Sequence, residues 1–392
     1  MHVLHVLSNH KWSERAEPAV DLALAQQTRG VDVTFVCGSS GLAEEDSVAY
    51  HALQRGLELL VLRMRKHLEP FSVLQDRLAL RCFLKRHPAD IVHTHMPNAH
   101  LIAALATRGL ASRPLMIRSC YEIDGPEHQW RARLLLARAT DGLIVISPQA
   151  KQATCARFDF DPTLISVIEP GIALGRFAEH AGENPRAQFG LRQDEFVLGI
   201  VSRVREDRRL DVVLEAMRRL KDRLPALRLL LVGRGLIEEL IERPAVRMGI
   251  GDRIMLAGYC RDDRLVAAYH AMDALAYPMP GTDQSCRTVR EAMAAGVPVI
   301  ASHVGFLPEL VQDGVTGKLA RLSAEAFAAA IAELATDREK LDRLASASRA
   351  TARLRFAPEL QADRTLAFYR LLLGTHESTT GEESRTEYTV PG

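Results

Sequence analysis

Between Tyr277 and Gly305 the chain reads YPMPGTDQSCRTVREAMAAGVPVIASHVG. Asp283 and Glu291 stand eight positions apart, with Ser285, Arg287, Thr288 and Val289 between them. Carboxylates accept hydrogen bonds from hydroxyl groups, and the free N–H groups at a helix start attract anions. That chemistry suits a ligand carrying both sugar hydroxyls and phosphate. A purely structural reading makes Ser285 or Asp283 an N-cap and pairs Arg287 with Glu291 at i, i+4, for about 0.3 kcal/mol. On these residues alone both readings stand.

Two further constellations invite the same question. Residues 202–209 (SRVREDRR) hold arginines at 203, 205, 208 and 209. Arg203 and Arg208 are placed to fork onto a diphosphate, with Arg205 and Arg209 turned outward; a solvated basic surface is the alternative. In VHTHMPNAH, from Val92, His95 closes an apolar stretch, as a substrate-facing or a structural histidine. His93, His95 and His100 have no carboxylate or cysteine at ligand spacing, so no metal is expected. Gly233 and Gly235 give only G-x-G, and neither a phosphate-binding P-loop nor a G-x-S-x-G serine elbow occurs.

These residues need a scaffold, and the alternation of short apolar runs with amphipathic stretches supplies one. Strands are expected at 2–8, 32–38, 57–62, 89–95, 114–120 and 142–147, and again at 196–204, 227–233, 253–258, 274–279 and 298–302. Helical runs lie between them, such as the one from Leu210 with Val213, Leu214, Met217 and Leu220 on one face. The pattern is α/β, two doubly wound parallel-sheet domains, which suits 392 residues. Expected boundaries are 1–170, a Gly- and Pro-containing linker at 171–190, a second domain at 191–356, a returning helix at 357–373 and a disordered tail at 374–392.

Bulk properties narrow the partners. A formal charge of +1 and 25% charged residues give no global attraction to nucleic acid. Six scattered cysteines fit reduced thiols in a cytoplasmic protein, and the N-terminal MHVLHVLSNHKW reads as a first strand and not a leader. One local region stands out: residues 61–87 carry seven Lys or Arg against two acids, a net of +5, interleaved with Leu68, Phe71, Leu74, Leu78, Leu80 and Phe83. Such a segment suits an anionic membrane surface, with a solvated basic helix as the alternative.

In combination the motifs resemble the retaining glycosyltransferases of family 4. Residues 283–319, DQSCRTVREAMAAGVPVIASHVGFLPELVQDGVTGKL, look like the family's E-x7-E segment and its following G-x-P-V-I-A and G-x-T-G trail, in the branch that writes DGTSR or DGTCR. Asp283 replaces the first Glu. SRVREDRRL resembles G-R-L-x-x-x-K-G, with Arg208 at the usual Lys, and VIEPGIALGRF resembles the stretch leading out of the first domain. VHTHMPNAH resembles the family's H-x-H strand end. KWSERAEP, from Lys11, is the weakest match, lacking the family's glycines.

The resemblance implies a GT-B fold, two Rossmann-like domains facing across a cleft, and transfer of a sugar from a nucleotide-diphosphate sugar with retention of configuration and without a metal or other cofactor. It assigns His95 and Asp283 to catalysis, Arg203, Arg208, Arg287, Thr288 and Val289 to the diphosphate, Glu291 and Asp283 to ribose and sugar. It also places Tyr259 and Arg261 at the base, and Trp12 and Ser13 in the N-terminal loop. A glycan or lipid-linked acceptor, envelope glycolipid or polysaccharide synthesis such as that of lipopolysaccharide, and a cytoplasmic site at the inner membrane face complete the expectation. The alternatives are a sugar-nucleotide-binding scaffold without turnover and a two-carboxylate glycoside hydrolase.

Overall fold

The computed structural model describes the chain except residues 14–15, 40–43, 65–68, 123, 128–129, 179–183, 280–285 and 384–392, with the backbone alone at 44, 131 and 376–383. The chain divides into two compact units, Met1–Gly171 with the segment from Pro358 onward, and Ile172–Ala357.

In the first unit seven parallel strands, β1 (His2–Leu7), β2 (Asp32–Gly38), β3 (Glu58–Leu62), β4 (Ile91–Thr94), β5 (Leu115–Cys120), β6 (Gly142–Val145) and β7 (Ile165–Val167), lie in the order β3-β2-β1-β4-β5-β6-β7. The central strands are apolar on both faces because helices cover both, as a parallel sheet requires. One face packs on Leu80, Leu84, Ile102, Ala103 and Ala106 of helices Pro70–Arg86 and Pro97–Thr107. The other receives Leu366, Phe368, Tyr369 and Leu372 of the last helix, which return the chain to Val3, Ile91, Leu115 and Ile117. Arg29 pairs with Asp363, fastening helix Glu17–Gln27 to that same helix.

The second unit holds β8 (Phe196–Val201), β9 (Leu227–Val232), β10 (Ile254–Gly258), β11 (Ala274–Tyr277), β12 (Val299–Ser302) and β13 (Gly317–Ala320), ordered β10-β9-β8-β11-β12-β13. Order reverses beside β8, the point where ligands of open α/β sheets bind beyond the carboxyl ends. Helix Leu210–Leu220 buries Leu210, Val213, Leu214, Met217 and Leu220, the stripe its spacing predicts.

Three expectations change. Strands β7 and β13 were not anticipated; at three and four residues these edge strands are too short to show a period. The stretch at 171–190 is not a free linker, because Phe177 is fully buried, edge-on to Tyr269, and Arg186 pairs with Asp273 at 2.7 Å. The terminal segment expected to be disordered from 374 begins as helix, since the last helix runs Pro358–Glu383.

Candidate functional site

In the second unit the carboxyl end of β8 is locked by two glycines. Ser202 and Val204 run alongside Gly233 and Gly235, with Val204 N–H donating to Arg234 O and Leu236 N–H to Val204 O. Gly233 has φ +156 and Gly235 φ +142, and a Cβ on either would stand 1.8 Å from Ser202 O or 2.2 Å from Val204 O. The G-x-G that failed as a dinucleotide motif is therefore a close backbone approach. It fixes the loop bearing Arg203, which is exposed.

Arg208 ends the short 3-10 turn Glu206–Arg208 and is 8% exposed. Its Nη1 lies 2.8 Å from Sδ of Met279, just past β11, while Ser302 Oγ donates to Met279 O at 2.9 Å. Its Nε also lies 3.9 Å from Asp207 Oδ1, and a guanidinium held at these strand ends can add charge-assisted bonds to an anion. The ends of β8, β11 and β12 thus converge on Met279, beside residues 280–285. Asp283 and Ser285 lie outside the described residues.

Helix Arg287–Ala295 follows in the sequence. Its N-cap, Cys286, is left-handed (φ 44, ψ 47) and makes no side-chain cap bond. Thr288 is half-buried and Val289 fully buried in the first turn. Arg287 Nε donates to Glu291 Oε1 at 2.6 Å, and Tyr269 Oη donates to Glu291 Oε2 at 2.8 Å. Burial, then the Glu291 charge, pushes the Tyr269 phenol well above its ordinary value. The i, i+4 pair foreseen as the structural reading exists, and it is buried. Tyr269, in helix Asp262–Ala271, was not anticipated by sequence.

Past β10, Tyr259 is exposed, and the guanidiniums of Arg234 and Arg261 lie 4.8 and 5.0 Å from its ring centroid. This flat, cationic platform suits stacking and anion contact.

In the first unit the expected histidine lies in a polar layer at the carboxyl ends of β1, β4 and β5. The face that is apolar at Val3, Ile91 and Ile117 turns polar two residues later at His5, His93 and Ser119, and again at His95 just past β4. His95 is 4% exposed, with Nε2 2.9 Å from His5 Nδ1 and Nδ1 3.0 Å from Tyr121 Oη. His5 Nε2 reaches Gln26 Oε1 at 2.9 Å; His93 meets Ser119 Oγ at 2.8 Å and Tyr369 Oη at 2.5 Å. Burial lowers His5 to about 4 and lowers His93 and His95 well below 6.5, so all three are neutral near pH 7. On the opposite face His100 is lowered to about 3 by burial and Arg118, and bridges Thr94 and Thr140.

His5, His93 and His95 each offer a nitrogen within 4.8 Å of the others, the one such group among the described residues. Every ring nitrogen of the trio already has a hydrogen-bond partner, the arrangement of a network and not of an open ligand set. The one D-x-D of the sequence, Asp159 to Asp161, is taken up by turn geometry: Asp159 is a left-handed helix C-cap and Asp161 caps Thr163.

In the N-terminal loop Trp12 stacks on His51 at 4.2 Å, and Ser13 Oγ accepts from Asn9 Nδ2 at 3.0 Å. In residues 61–87, Arg77 and Arg81 cap the end of the neighbouring helix, donating to the carbonyls of Leu105, Ala106, Arg108 and Gly109. Asp76 holds the N–H groups of Arg63 and Met64. Phe71, Leu74 and Leu78 form an exposed apolar stripe on helix Pro70–Arg86. Arg63, Lys85 and Arg86 remain exposed, and Arg65, Lys66 and Leu68 lie outside the described residues.

Two Rossmann-like parallel sheets, the second with arginines and a helix start at its strand ends, are the units of the GT-B glycosyltransferase fold. A glycosyltransferase from Rickettsia africae aligns with TM-score 0.79 at 18% identity, covering 95% of this chain and 98% of that one. The Anabaena protein HepE, solved with UDP, aligns with TM-score 0.75 at 20% identity over 96% and 100%. At these identities the likeness is one of fold. The chain belongs to the group 1 glycosyltransferase family: the family "Glycosyl transferases group 1" matches residues 182–351 and "Glycosyltransferase Family 4" residues 19–176. It is similar to the D-inositol 3-phosphate glycosyltransferase of Streptomyces griseus, 31% identical over 324 residues, 73% of this chain and 68% of that one. The namesake from Segniliparus rotundus is 36% identical over 218 residues, 54% and 48%. The match to the first two curated relatives spans about half their length, 48% and 54%.

Proposed function

We propose that this protein transfers a sugar from a nucleotide-diphosphate sugar to an acceptor hydroxyl, with retention of configuration and without a metal ion. The observation that carries the reading is Arg208, a buried guanidinium where the ends of β8 and β11 meet. As the glycosyl bond breaks, negative charge gathers on the departing diphosphate. Arg203, Arg208 and the first turn of helix Arg287–Ala295 supply fixed positive potential there, the useful place for it in a transition state. Arg287, Thr288 and Val289 contribute that turn, and Asp283 serves the sugar hydroxyls.

Glu291 serves the ribose from an orientation held by Arg287 and Tyr269. With both oxygens so held it is ill placed for the acid role a glycoside hydrolase needs, which disfavours that alternative. Tyr259, flanked by Arg234 and Arg261, receives the base. On the first unit His95 serves a sugar or acceptor hydroxyl, and Trp12 and Ser13 shape the N-terminal loop.

The acceptor is a glycan, a lipid-linked glycan or, by similarity to inositol phosphate glycosyltransferases, a phosphorylated polyol. The stripe of Phe71, Leu74 and Leu78, with Lys85 and Arg86 beyond it, supports contact with an anionic membrane surface during envelope glycolipid or polysaccharide synthesis. No helix among the described residues is long and apolar enough to cross a membrane. The test is a panel of UDP-, GDP- and ADP-sugars offered with polyol phosphates and a lipid extract. A new glycoside with the donor's anomeric configuration supports the reading; free sugar from simple glycosides without nucleotide contradicts it.

A further inference from the structure

We propose that Gln26 and His5 are positioning residues that hold His95 as its Nε2–H tautomer, so that His95 meets a substrate hydroxyl through Nδ1, as an acceptor, at the place the Tyr121 hydroxyl takes here. The inference rests on the transfer reading for the identity of that hydroxyl, and on the hydrogen-bond geometry for the tautomer. Three neutral imidazoles in contact cannot choose their protons independently, because each ring offers one N–H and one bare nitrogen. His5 Nε2 faces the carbonyl oxygen of Gln26 at 2.9 Å, so it carries the hydrogen and its Nδ1 is bare. That bare nitrogen, 2.9 Å from His95 Nε2, takes a hydrogen from it. His95 Nδ1 is then bare in turn and accepts from the Tyr121 hydroxyl at 3.0 Å.

A second arm runs the same way. Tyr369 Oη lies 2.5 Å from His93 Nδ1 and Ser119 Oγ 2.8 Å from His93 Nε2; with the Gln26 amide turned toward the Tyr369 oxygen, that hydroxyl is left to donate to Nδ1, and His93 carries its hydrogen on Nε2. The Ser119 hydroxyl is left to point at the Tyr121 oxygen, where its hydrogen-bonding contact lowers a phenol that burial otherwise raises. Both arms therefore make Tyr121 a donor to His95. The Gln26 amide nitrogen also draws the Tyr369 phenol down, short of a full hydrogen bond. The seven residues form a nearly closed ring with one sense of donation, drawn from β1, β4, β5 and the loop after it, helix Glu17–Gln27 and the last helix.

The Tyr121 hydroxyl is thus a stand-in for an alcohol. A substrate polyol that displaces it finds an acceptor whose orientation is already fixed, and donates one hydroxyl to Nδ1. Pre-organised neutral rings do this without reorganisation at the moment of reaction.

The experiment is nitrogen NMR of the full chain labelled with 15N-histidine, with His95 assigned by a His95→Gln variant. His95 is expected to show a protonated Nε2 and a bare Nδ1 near neutral pH. Gln26→Leu removes the oxygen that orients His5, and His95 shifts toward a tautomer mixture; Gln26→Glu, which keeps an acceptor, restores the original pattern. Turnover follows the spectra: at least a tenfold loss of kcat in Gln26→Leu with donor KM within twofold, and recovery in Gln26→Glu. A proton on Nδ1 in the unsubstituted chain, or an unchanged His95 spectrum in Gln26→Leu, overturns the proposal. The spectra need no substrate. A chain that shows them but transfers no sugar overturns the functional reading alone, and transfer with the opposite tautomer overturns the positioning proposal alone.

Discussion

Lowering the pH from 7 to 5 should loosen the first unit far more than the second, because the first carries four neutral, buried histidines. In the unfolded chain each titrates near 6.5, whereas folded His5 does so at about 4 and His100 at about 3. The unfolded state therefore binds more protons between those limits, so stability falls as pH drops below about 6.5. At pH 5 each of these two residues costs about 2 kcal/mol relative to pH 7. His93 and His95, also lowered chiefly by burial, act in the same direction. About 4 kcal/mol from two residues is a large part of the roughly 5–15 kcal/mol that holds a domain together. Both tryptophans, Trp12 and Trp130, belong to the first unit, so fluorescence during urea unfolding reports on it selectively. With a denaturant slope of about 2 kcal/mol per M, the urea midpoint should fall by about 2 M between pH 7 and pH 5. A midpoint that moves by less than about 0.5 M on that slope would refute the buried, neutral assignment.

Other perturbations separate the parts of the site. Gly233→Ala drives a Cβ to within 1.8 Å of Ser202 O, and should destabilise the second unit by at least about 2 kcal/mol in chemical denaturation and abolish nucleotide binding. Tyr269→Phe leaves Glu291 Oε2 without its phenol donor; a stability loss of about 1–2 kcal/mol and weaker donor binding should appear in calorimetry. Arg81→Met uncaps the carbonyls of Ala106, Arg108 and Gly109 and should cost about 1 kcal/mol in thermal unfolding, while leaving sedimentation with anionic vesicles nearly unchanged if Phe71, Leu74 and Leu78 dominate that contact.

Much of the scaffold was legible because parallel sheets write long apolar runs between helices with clear faces, and eleven of the thirteen strands fall on such runs. The edge strands β7 and β13 were not, since three or four residues carry no period. Arg208 was readable from its place at a strand end, and the Arg287–Glu291 pair from its spacing. Tyr269, Arg234 and Tyr121 were not, because each reaches the site from another element, and nothing in local sequence records a partner more than twenty residues away. His5 illustrates the same limit. Two residues from Val3 along β1, it looks like one polar interruption of an apolar strand, and only the register that sets it opposite His93 makes it part of a network. The glycines of VGRG were visible, but their meaning was steric, and only the approach of Ser202 and Val204 shows it.

In the proposed function the second unit holds a nucleotide diphosphate through Arg208. Calorimetric titration of UDP and GDP into the full chain and into its Arg208→Ala variant tests it directly. Saturable binding of at least one nucleotide is expected, independent of added metal and weakened at least tenfold in the variant, whose fold should persist. Equal affinity in the two proteins, or no binding of either nucleotide by the unsubstituted chain, would contradict it.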